Sequence, residues 1–332
     1  MEYVSIGYTG LKGSRIGLGT FAIGGLMWGG SDERTSMRTV NAAFEHGINL
    51  IDTAPTYGFG ISEEIVGKVI AERGNRENVI IATKVGLEAS GGEIFRNSTK
   101  EEIFRTMEGS LKRLRTNYID ICQVHWPDPL VPIEETAAAM NQLYERGKIR
   151  AIGVSNYSPE QMECFRKVAP LHTAQPPYNL FERCIERNVL PYCRKHKITM
   201  LTYGSLCRGL LTGKMRPDTK FSGDDLRKTD PKFQTRRYEQ YLKTVELLDG
   251  FAQENYGKGV IHLAVRWLLD RTVDGIALWG ARRPEQLDTI GEVWGWTLDA
   301  KALEVIDEII DRNIKQPIPT YVSESFVPSC RS

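Results

Sequence analysis

A chain of 332 residues, 41% hydrophobic and 26% charged, is long enough to bury a large core without disulfides or metals. A formal net charge of +1 gives no broad field for nucleic acid or a membrane surface, which leaves a small-molecule protein as the default. The six cysteines form no C-x-x-C pair and the five histidines show no zinc-ligand spacing, so most thiols read as buried groups and no metal site is expected. Residues 1–5 carry no basic, apolar leader pattern, and no apolar run is long enough to span a bilayer. A cytoplasmic protein is therefore expected, without nucleic-acid or membrane partners.

In chain order, residues 3–15 read as a small hairpin turning at Thr9-Gly10, able to plug the bottom of a barrel. Eight nearly continuous apolar runs follow, at 16–20, 49–53, 79–84, 118–125, 151–155, 172–176, 199–203 and 275–280, as parallel strands buried on both faces should be. Amphipathic helices lie between them. Gly47 and Gly74 close the first two, and Thr99-Lys100-Glu101-Glu102 reads as a capping box. Pro132 opens the next, which Gly147 closes, and Ser158-Pro159-Glu160-Gln161 starts another. Residues 216–237 are polar, with a choice between a solvated loop and a flap over a ligand. An extra helix spans about 299–310, ahead of a polar tail with Pro317, Pro319 and Pro328. Eight strand–helix units predict an α/β protein, a closed (β/α)8 TIM barrel forming one domain over 1–332.

Polar residues sit at the C-terminal end of six consecutive strands: Asp52-Thr53, Lys84, His125, Ser155-Asn156, Gln175 and Tyr203. Barrel enzymes hold their sites at that mouth. A lysine ending a buried strand needs a compensating charge, and Asp52 on the neighbouring strand is the natural partner. The pair could serve only to fix the barrel. Tyr57, five residues after Asp52, lies on a short loop that can fold its phenol over Lys84. A free phenol, with a pKa of about 10, is a poor acid at neutral pH, and a nearby ammonium is expected to lower that value and make Tyr57 a usable general acid. His125 could then polarise a substrate oxygen.

The string Asp52-Thr53-Ala54-Pro55-Thr56-Tyr57-Gly58 resembles the aldo-keto reductase signature. Lys84 after Ile80-Ile81-Ala82-Thr83 and His125 after Gln123-Val124 complete that family's Asp, Tyr, Lys, His tetrad. Three more segments are similar to family motifs: Gly153-Val154-Ser155-Asn156-Tyr157, Gln175-Pro176-Pro177-Tyr178-Asn179, and residues 203–214. The likeness runs from about Leu11 to Ile310, and Trp126-Pro127-Asp128-Pro129 and Cys207-Arg208-Gly209-Leu210-Leu211 look closest to the bacterial branch of general stress protein 69 type.

The resemblance implies a nicotinamide cofactor bound extended, without a Rossmann domain. Ser155, Asn156 and Gln175 would hold the carboxamide and Tyr203 would stack on the ring. Residues 204–209 (Gly204, Ser205, Leu206, Arg208 and Gly209 among them), with Lys214 beyond, would follow the pyrophosphate through backbone N–H groups. Gly280-Ala281-Arg282-Arg283-Pro284-Glu285-Gln286 would open a last short helix, where two arginines suit a phosphate monoester and favour NADPH over NADH. Where the family often carries Asn for the adenine, this chain has Ile290.

Gly17-Leu18-Gly19-Thr20-Phe21-Ala22 matches G-x-G-x-x-A but lacks the acidic residue about 20 positions on that a Rossmann site needs. Its glycines read as space at the barrel mouth, with Thr20 and Phe21 beside the cofactor. Trp28, Phe59 and Trp126 are expected to rim the substrate pocket, Trp28 as a mobile lid. The reaction implied is NADPH-dependent reduction of a small or sugar-derived carbonyl by a monomer. The alternatives are an alcohol or polyol dehydrogenase and a non-catalytic nucleotide-sensing module.

Overall fold

The computed structural model describes residues 1–315 and the backbone at 329–330. The polar tail at Pro317, Pro319 and Pro328 lies outside the described residues. Strands β1 (Tyr3–Ser5) and β2 (Lys12–Ser14) pair antiparallel as the expected hairpin. Then come β3 (Ile16–Gly19), α1 (Glu33–Glu45), β4 (Leu50–Asp52), α2 (Ile61–Arg73) and β5 (Ile80–Val85). A second hairpin, β6 (Leu87–Ser90) and β7 (Glu93–Arg96), precedes α3 (Lys100–Arg113), β8 (Ile121–Val124), α4 (Ile133–Glu145), β9 (Ile152–Ser155) and α5 (Pro159–Arg166). The chain continues through β10 (Thr173–Gln175), α6 (Val189–His196), β11 (Thr199–Thr202), α7 (Thr235–Tyr256), α8 (Val260–Thr272), β12 (Ile276–Gly280) and α9 (Ala300–Asn313).

Strands β3, β4, β5, β8, β9, β10, β11 and β12 close in that order into a parallel barrel, the (β/α)8 architecture read from the sequence. Strand alternation sorts the side chains. Residues facing outward, such as Ile51, Ile81, Cys122 and Ile152, join the core shared with the helices. Inward residues Leu50, Ile80, Ala82, Ile121, Ala151, Leu201, Ile276 and Leu278 form a second cluster, closed from below by Ile6 and Leu11 of the β1–β2 hairpin. The hairpin does plug the barrel. Gly17 leaves room for the crowded interior: a Cβ there would lie 2.6 Å from Leu50 Cδ2.

Ser158 forms the expected capping box with Gln161. Thr99 does not form one. Its hydroxyl donates to Asn97 Oδ1 at 2.7 Å instead, while Glu102 accepts from Arg105 and from Thr106 at 2.7 Å. This local pairing with Asn97 stands in place of a capping bond to the helix.

Candidate active site

Following each inward row two residues further leads from the apolar interior to polar groups at the barrel mouth: Leu50 to Asp52, Ala82 to Lys84, Ile121 to Gln123, Gly153 to Ser155, Thr173 to Gln175, and Leu201 to Tyr203. Lys84 is 0% exposed. Its Nζ donates to Asp52 Oδ1, Asp52 Oδ2 and Thr53 O, each at 2.9 Å. An ammonium has three N–H donors, so its hydrogen-bonding capacity is filled. Asp52 Oδ1 also accepts from Gln175 Nε2 at 2.7 Å, and Gln175 Nε2 donates to Gln123 Oε1 at 2.9 Å.

Tyr57 caps this ion pair. A turn in which Tyr57 N donates to Ala54 O carries it, and its ring centroid lies 4.8 Å from Lys84 Nζ. Gly58 makes the placement feasible: its φ is +62°, and a Cβ would fall 2.1 Å from Gly24 O. The other edge of the ring packs on Phe21 at 4.9 Å and faces the His125 ring at 5.9 Å.

The electrostatics correct the expected acidity. Burial, and then the Asp52 charge, hold the Tyr57 phenol well above its ordinary pKa rather than below it. Lys84 spends its charge on Asp52, so the pair presents little net field to the phenol, and desolvation of the phenolate prevails. Burial also lowers the Lys84 ammonium, opposed by Asp52. Burial and then the Lys84 charge push the His125 imidazole well below its usual value, which leaves a neutral ring. Its Nδ1 is buried without a hydrogen-bond partner among the described residues.

A cavity of about 790 Å³ opens above these groups. Asp52, Tyr57, His125, Ser155, Asn156, Gln175 and Tyr203 line its floor, with Lys84 hidden beneath. Ser155 Oγ donates to Gln175 O, and Asn156 Nδ2 donates to Ser155 Oγ and to His125 O. Asn156 adopts a φ of +63°, a conformation Asn tolerates better than most residues. Tyr203 OH donates to Asn156 Oδ1 at 3.0 Å, fixing its ring at the cavity edge. Away from the floor, Gly204, Ser205, Leu206, Arg208, Gly209, Lys214, Gly280, Arg282, Arg283 and Gln286 all line the wall, as does Phe21. Six cationic side chains (Arg208, Lys214, Lys220, Arg227, Arg282, Arg283) face three carboxylates (Asp32, Asp52, Glu182). Asp52 pairs with Lys84, Glu182 with Lys232, Arg208 with Asp230 and Arg227 with Asp225, and the remaining Lys214, Lys220, Arg282 and Arg283 against Asp32 still suit an anionic ligand.

Several expected positions are corrected. Thr20 is 0% exposed and off the cavity; its hydroxyl donates to Asp52 O and accepts from Ser62 Oγ, bracing the end of β4. Phe59 is 47% exposed and does not line the cavity. Trp126 is buried under the Arg96 guanidinium, also outside the lining. Both follow a strand end in sequence, but the turn at each site swings the side chain off the mouth. In residues 204–209, Cys207 N donates to Gly204 O and Gly209 N to Leu206 O, so these backbone donors close the turn instead of facing the cavity. The helix expected after Gly280 is a single 3-10 turn, Pro284–Gln286, too short for an anion-binding dipole. Gln286 Oε1 accepts from the N–H groups of Arg282 (2.7 Å) and Arg283 (3.0 Å), leaving the guanidinium groups as the charges there. Ile290 lies in the core at 1% exposure.

The 216–237 segment is a flap. Thr219, Lys220, Phe221, Leu226 and Arg227 line the cavity. Asp224 accepts from Met27 N (2.6 Å) and Gly29 N (2.9 Å), and Leu226 N donates to Met27 O, joining the flap to the β3–α1 loop. Trp28 in that loop is pinned rather than loose: Arg282 donates to Trp28 O and Gly30 O, and Arg227 lies 5.0 Å from the Trp28 ring centroid. The alternation of β8 could have revealed Gln123, two residues before His125. Nothing local marked the clamps at Asp224 and Arg227.

The sequence matches the model of the Aldo/keto reductase family over residues 15–311. The chain belongs to that family. Aldo-keto reductase YhdN of Bacillus subtilis (strain 168) is 60% identical over 318 residues, 96% of each chain. The solved structure of the glycerol dehydrogenase AKR11B4 from Gluconobacter oxydans matches with a TM-score of 0.89 and 50% identity, covering 97% of this chain and 99% of that one. The NADH-specific methylglyoxal reductase of Escherichia coli (strain K12) is 36% identical over 304 residues, covering 86% of this chain and 91% of that protein. This aldo-keto reductase is thus an oxidoreductase acting on carbonyl and alcohol groups. No helix among the described residues is long and apolar enough to cross a membrane.

Proposed function

We propose that the chain reduces aldehydes and ketones to alcohols with NADPH, and that Tyr57 delivers the proton. The observation carrying this reading is the Tyr57 phenol seated over the Lys84–Asp52 pair and beside a neutral His125 at the floor of a cation-lined cavity. The residues present suit a nicotinamide dinucleotide. The tethered Tyr203 ring offers a flat face, and Ser155, Asn156 and Gln175 supply amide-matching groups beside it. Bound there, the cofactor supplies the hydride to the carbonyl carbon.

The protein's own groups do the rest. Neutral His125 can donate one hydrogen bond to the carbonyl oxygen and polarise it without carrying a charge of its own. Tyr57, protonated throughout the neutral range, gives its proton as charge develops on that oxygen. An alkoxide is a far stronger base than a phenolate, so the transfer runs downhill even from a phenol of raised pKa. Lys84, fixed by Asp52 and Thr53 O beneath the ring, offsets the Asp52 charge that would otherwise oppose the phenolate further. Gln175 and Gln123 hold Asp52 in place. Trp28 and Phe21 form the apolar wall beside the reacting carbon.

Arg282 and Arg283 favour the 2′-phosphate of NADPH at the far end of the cavity. The name of the glycerol dehydrogenase relative supports a second reading, oxidation of polyols at the same site. That direction needs the Tyr57 phenolate, which the raised pKa disfavours at neutral pH. Initial rates at pH 7 separate the readings: NADPH oxidation with a panel of aldehydes is expected to exceed NADP reduction with glycerol and other polyols. Faster polyol oxidation would reverse the assignment of direction. Tight NADPH binding with no turnover of any carbonyl or alcohol would leave only the nucleotide-sensing role.

A further inference from the structure

Outside the proton-transfer groups, the cavity wall holds a second charge cluster that the chemistry above does not use. Lys232 and Asp230, both on the flap, have side chains only 1% and 0% exposed. Lys232 Nζ lies 2.9 Å from Glu182 Oε1 and 3.2 Å from Asp230 Oδ2. Arg208 pairs with the same Asp230 oxygen, and Asp230 Oδ1 accepts the Lys232 N–H at 2.9 Å. Asn179 Nδ2 ties Glu182 Oε2 (2.6 Å) to Gly204 O (2.9 Å) in the segment assigned to the pyrophosphate.

Arg208 and Glu182 line the cavity, whereas Asp230 and Lys232 stand behind them. Two cations balance two carboxylates. Apolar residues of similar size would hold a flap at lower cost, since burying four charges is expensive even when they are paired. The arrangement also places a carboxylate, Glu182, on a wall that must accept an anion. Because the backbone N–H groups of Cys207 and Gly209 are used within their own turn, the Arg208 guanidinium is a charge on this segment that a diphosphate can meet.

We propose that this cluster is a counter-charge exchange site for the cofactor diphosphate. Arg208 leaves Asp230 for the phosphate oxygens, and Lys232 keeps both Asp230 and Glu182 neutralised when it goes. Lys232 is a positioning residue: it touches no ligand and sets how readily Arg208 is released. Because Lys232 and Asp230 belong to the flap while Glu182 and Arg208 belong to the barrel loops, the same exchange links the grip on the diphosphate to the closed flap. The proposal rests on the cofactor reading above.

The two flap residues make opposite predictions, which a mere structural prop would not. Asp230→Asn keeps the oxygen that accepts the Lys232 N–H, removes the charge that holds Arg208, and is expected to tighten NADPH binding. Lys232→Met takes the ammonium from both Glu182 and Asp230, so Arg208 is held more firmly by Asp230, and is expected to weaken NADPH binding roughly tenfold or more. Lys232→Arg should bind like the wild type, and adding Glu182→Gln to Lys232→Met should recover most of the loss. Binding is read by titration calorimetry with NADPH and with 2′-AMP, which carries the adenosine end and lacks the diphosphate. Affinity for 2′-AMP should be unchanged in every variant. Weaker NADPH binding by Asp230→Asn, unchanged binding by Lys232→Met, or parallel losses for 2′-AMP would overturn the exchange. If Lys232→Met does not fold, Asp230→Asn decides alone. A wild-type chain that binds no NADPH would sink the cofactor reading and this proposal with it, whereas normal wild-type binding with unresponsive variants would sink the exchange alone.

Discussion

Lys84 Nζ lies 4.8 Å from the centroid of the Tyr57 ring, while all three of its hydrogen bonds go to Asp52 and Thr53. The ammonium therefore supports the phenol from beneath and does not share its proton in the resting state. Its charge answers the Asp52 carboxylate, which would otherwise oppose formation of the phenolate further. In structural terms, the Lys84–Asp52 pair is a preorganised dipole under the reacting hydroxyl.

Removing the ammonium should cost stability as well as rate. Among the described residues, Lys84→Met leaves the Asp52 carboxylate buried with the Gln175 amide as its side-chain partner. Losing one member of a buried pair typically costs about 3–5 kcal/mol. Urea unfolding should show a loss of that order, and pairing the change with Asp52→Asn should restore most of it. A Lys84→Met protein as stable as the wild type would mean the pair contributes nothing to the fold.

The two arginines after Gly280 should separate. Arg283 is exposed at the cavity rim, whereas Arg282 also holds the Trp28 and Gly30 carbonyls. Arg283→Ala is expected to weaken NADPH several-fold, about 1 kcal/mol, and leave NADH unchanged, since an exposed charge-assisted contact is worth less than a buried one. Arg282→Ala should weaken both cofactors, because it also frees the β3–α1 loop. Dissociation constants for the two cofactors check this; equal losses for Arg283→Ala would count against phosphate recognition.

Stability should decline below neutral pH. Burial lowers the His125 imidazole and takes His172 down to about 4. In the unfolded chain both take up a proton near pH 6.5, and in the folded chain His172 does so only near pH 4. Between those values the unfolded state binds more protons, so stability falls as pH falls. His172 stacks between Tyr8 and Tyr144 at the far end of the barrel from the site. His172→Gln should therefore flatten the decline between about pH 6.5 and 4, measured by thermal unfolding, without altering cofactor affinity. An unchanged slope would exclude it as a contributor.

The barrel was legible because eight buried strands leave an unmistakable alternation of apolar runs and amphipathic helices. Asp52, Lys84, His125, Ser155, Gln175 and Tyr203 were legible because charges and amides at the ends of apolar strands need a reason. The Tyr57 acidity was not legible because the Lys84–Asp52 pairing shows in the sequence, whereas the complete burial of the phenol, which prevails over the ammonium, does not. Phe59 and Trp126 were misplaced because the side on which a loop residue emerges depends on turn geometry, which no periodicity records. The partners of Lys232, at Glu182 and Asp230, span about fifty residues and two elements, so only the folded chain brings them together.

The reductive rate should be nearly flat from about pH 6.5 to 9, since the raised Tyr57 pKa keeps the donor protonated and His125 stays neutral. Oxidation of an alcohol should rise across the same range, because it needs the phenolate. Rate profiles in both directions test this, and a reductive rate that falls through neutral pH would place the donor elsewhere.

The most direct measurement is the single-turnover rate of hydride transfer from bound NADPH to an aldehyde in Tyr57→Phe, alongside its NADPH dissociation constant. The predicted result is a rate lower by about 10²–10⁴-fold with cofactor affinity unchanged. A Tyr57→Phe protein that turns over at the wild-type rate would contradict the assignment of the proton to this phenol.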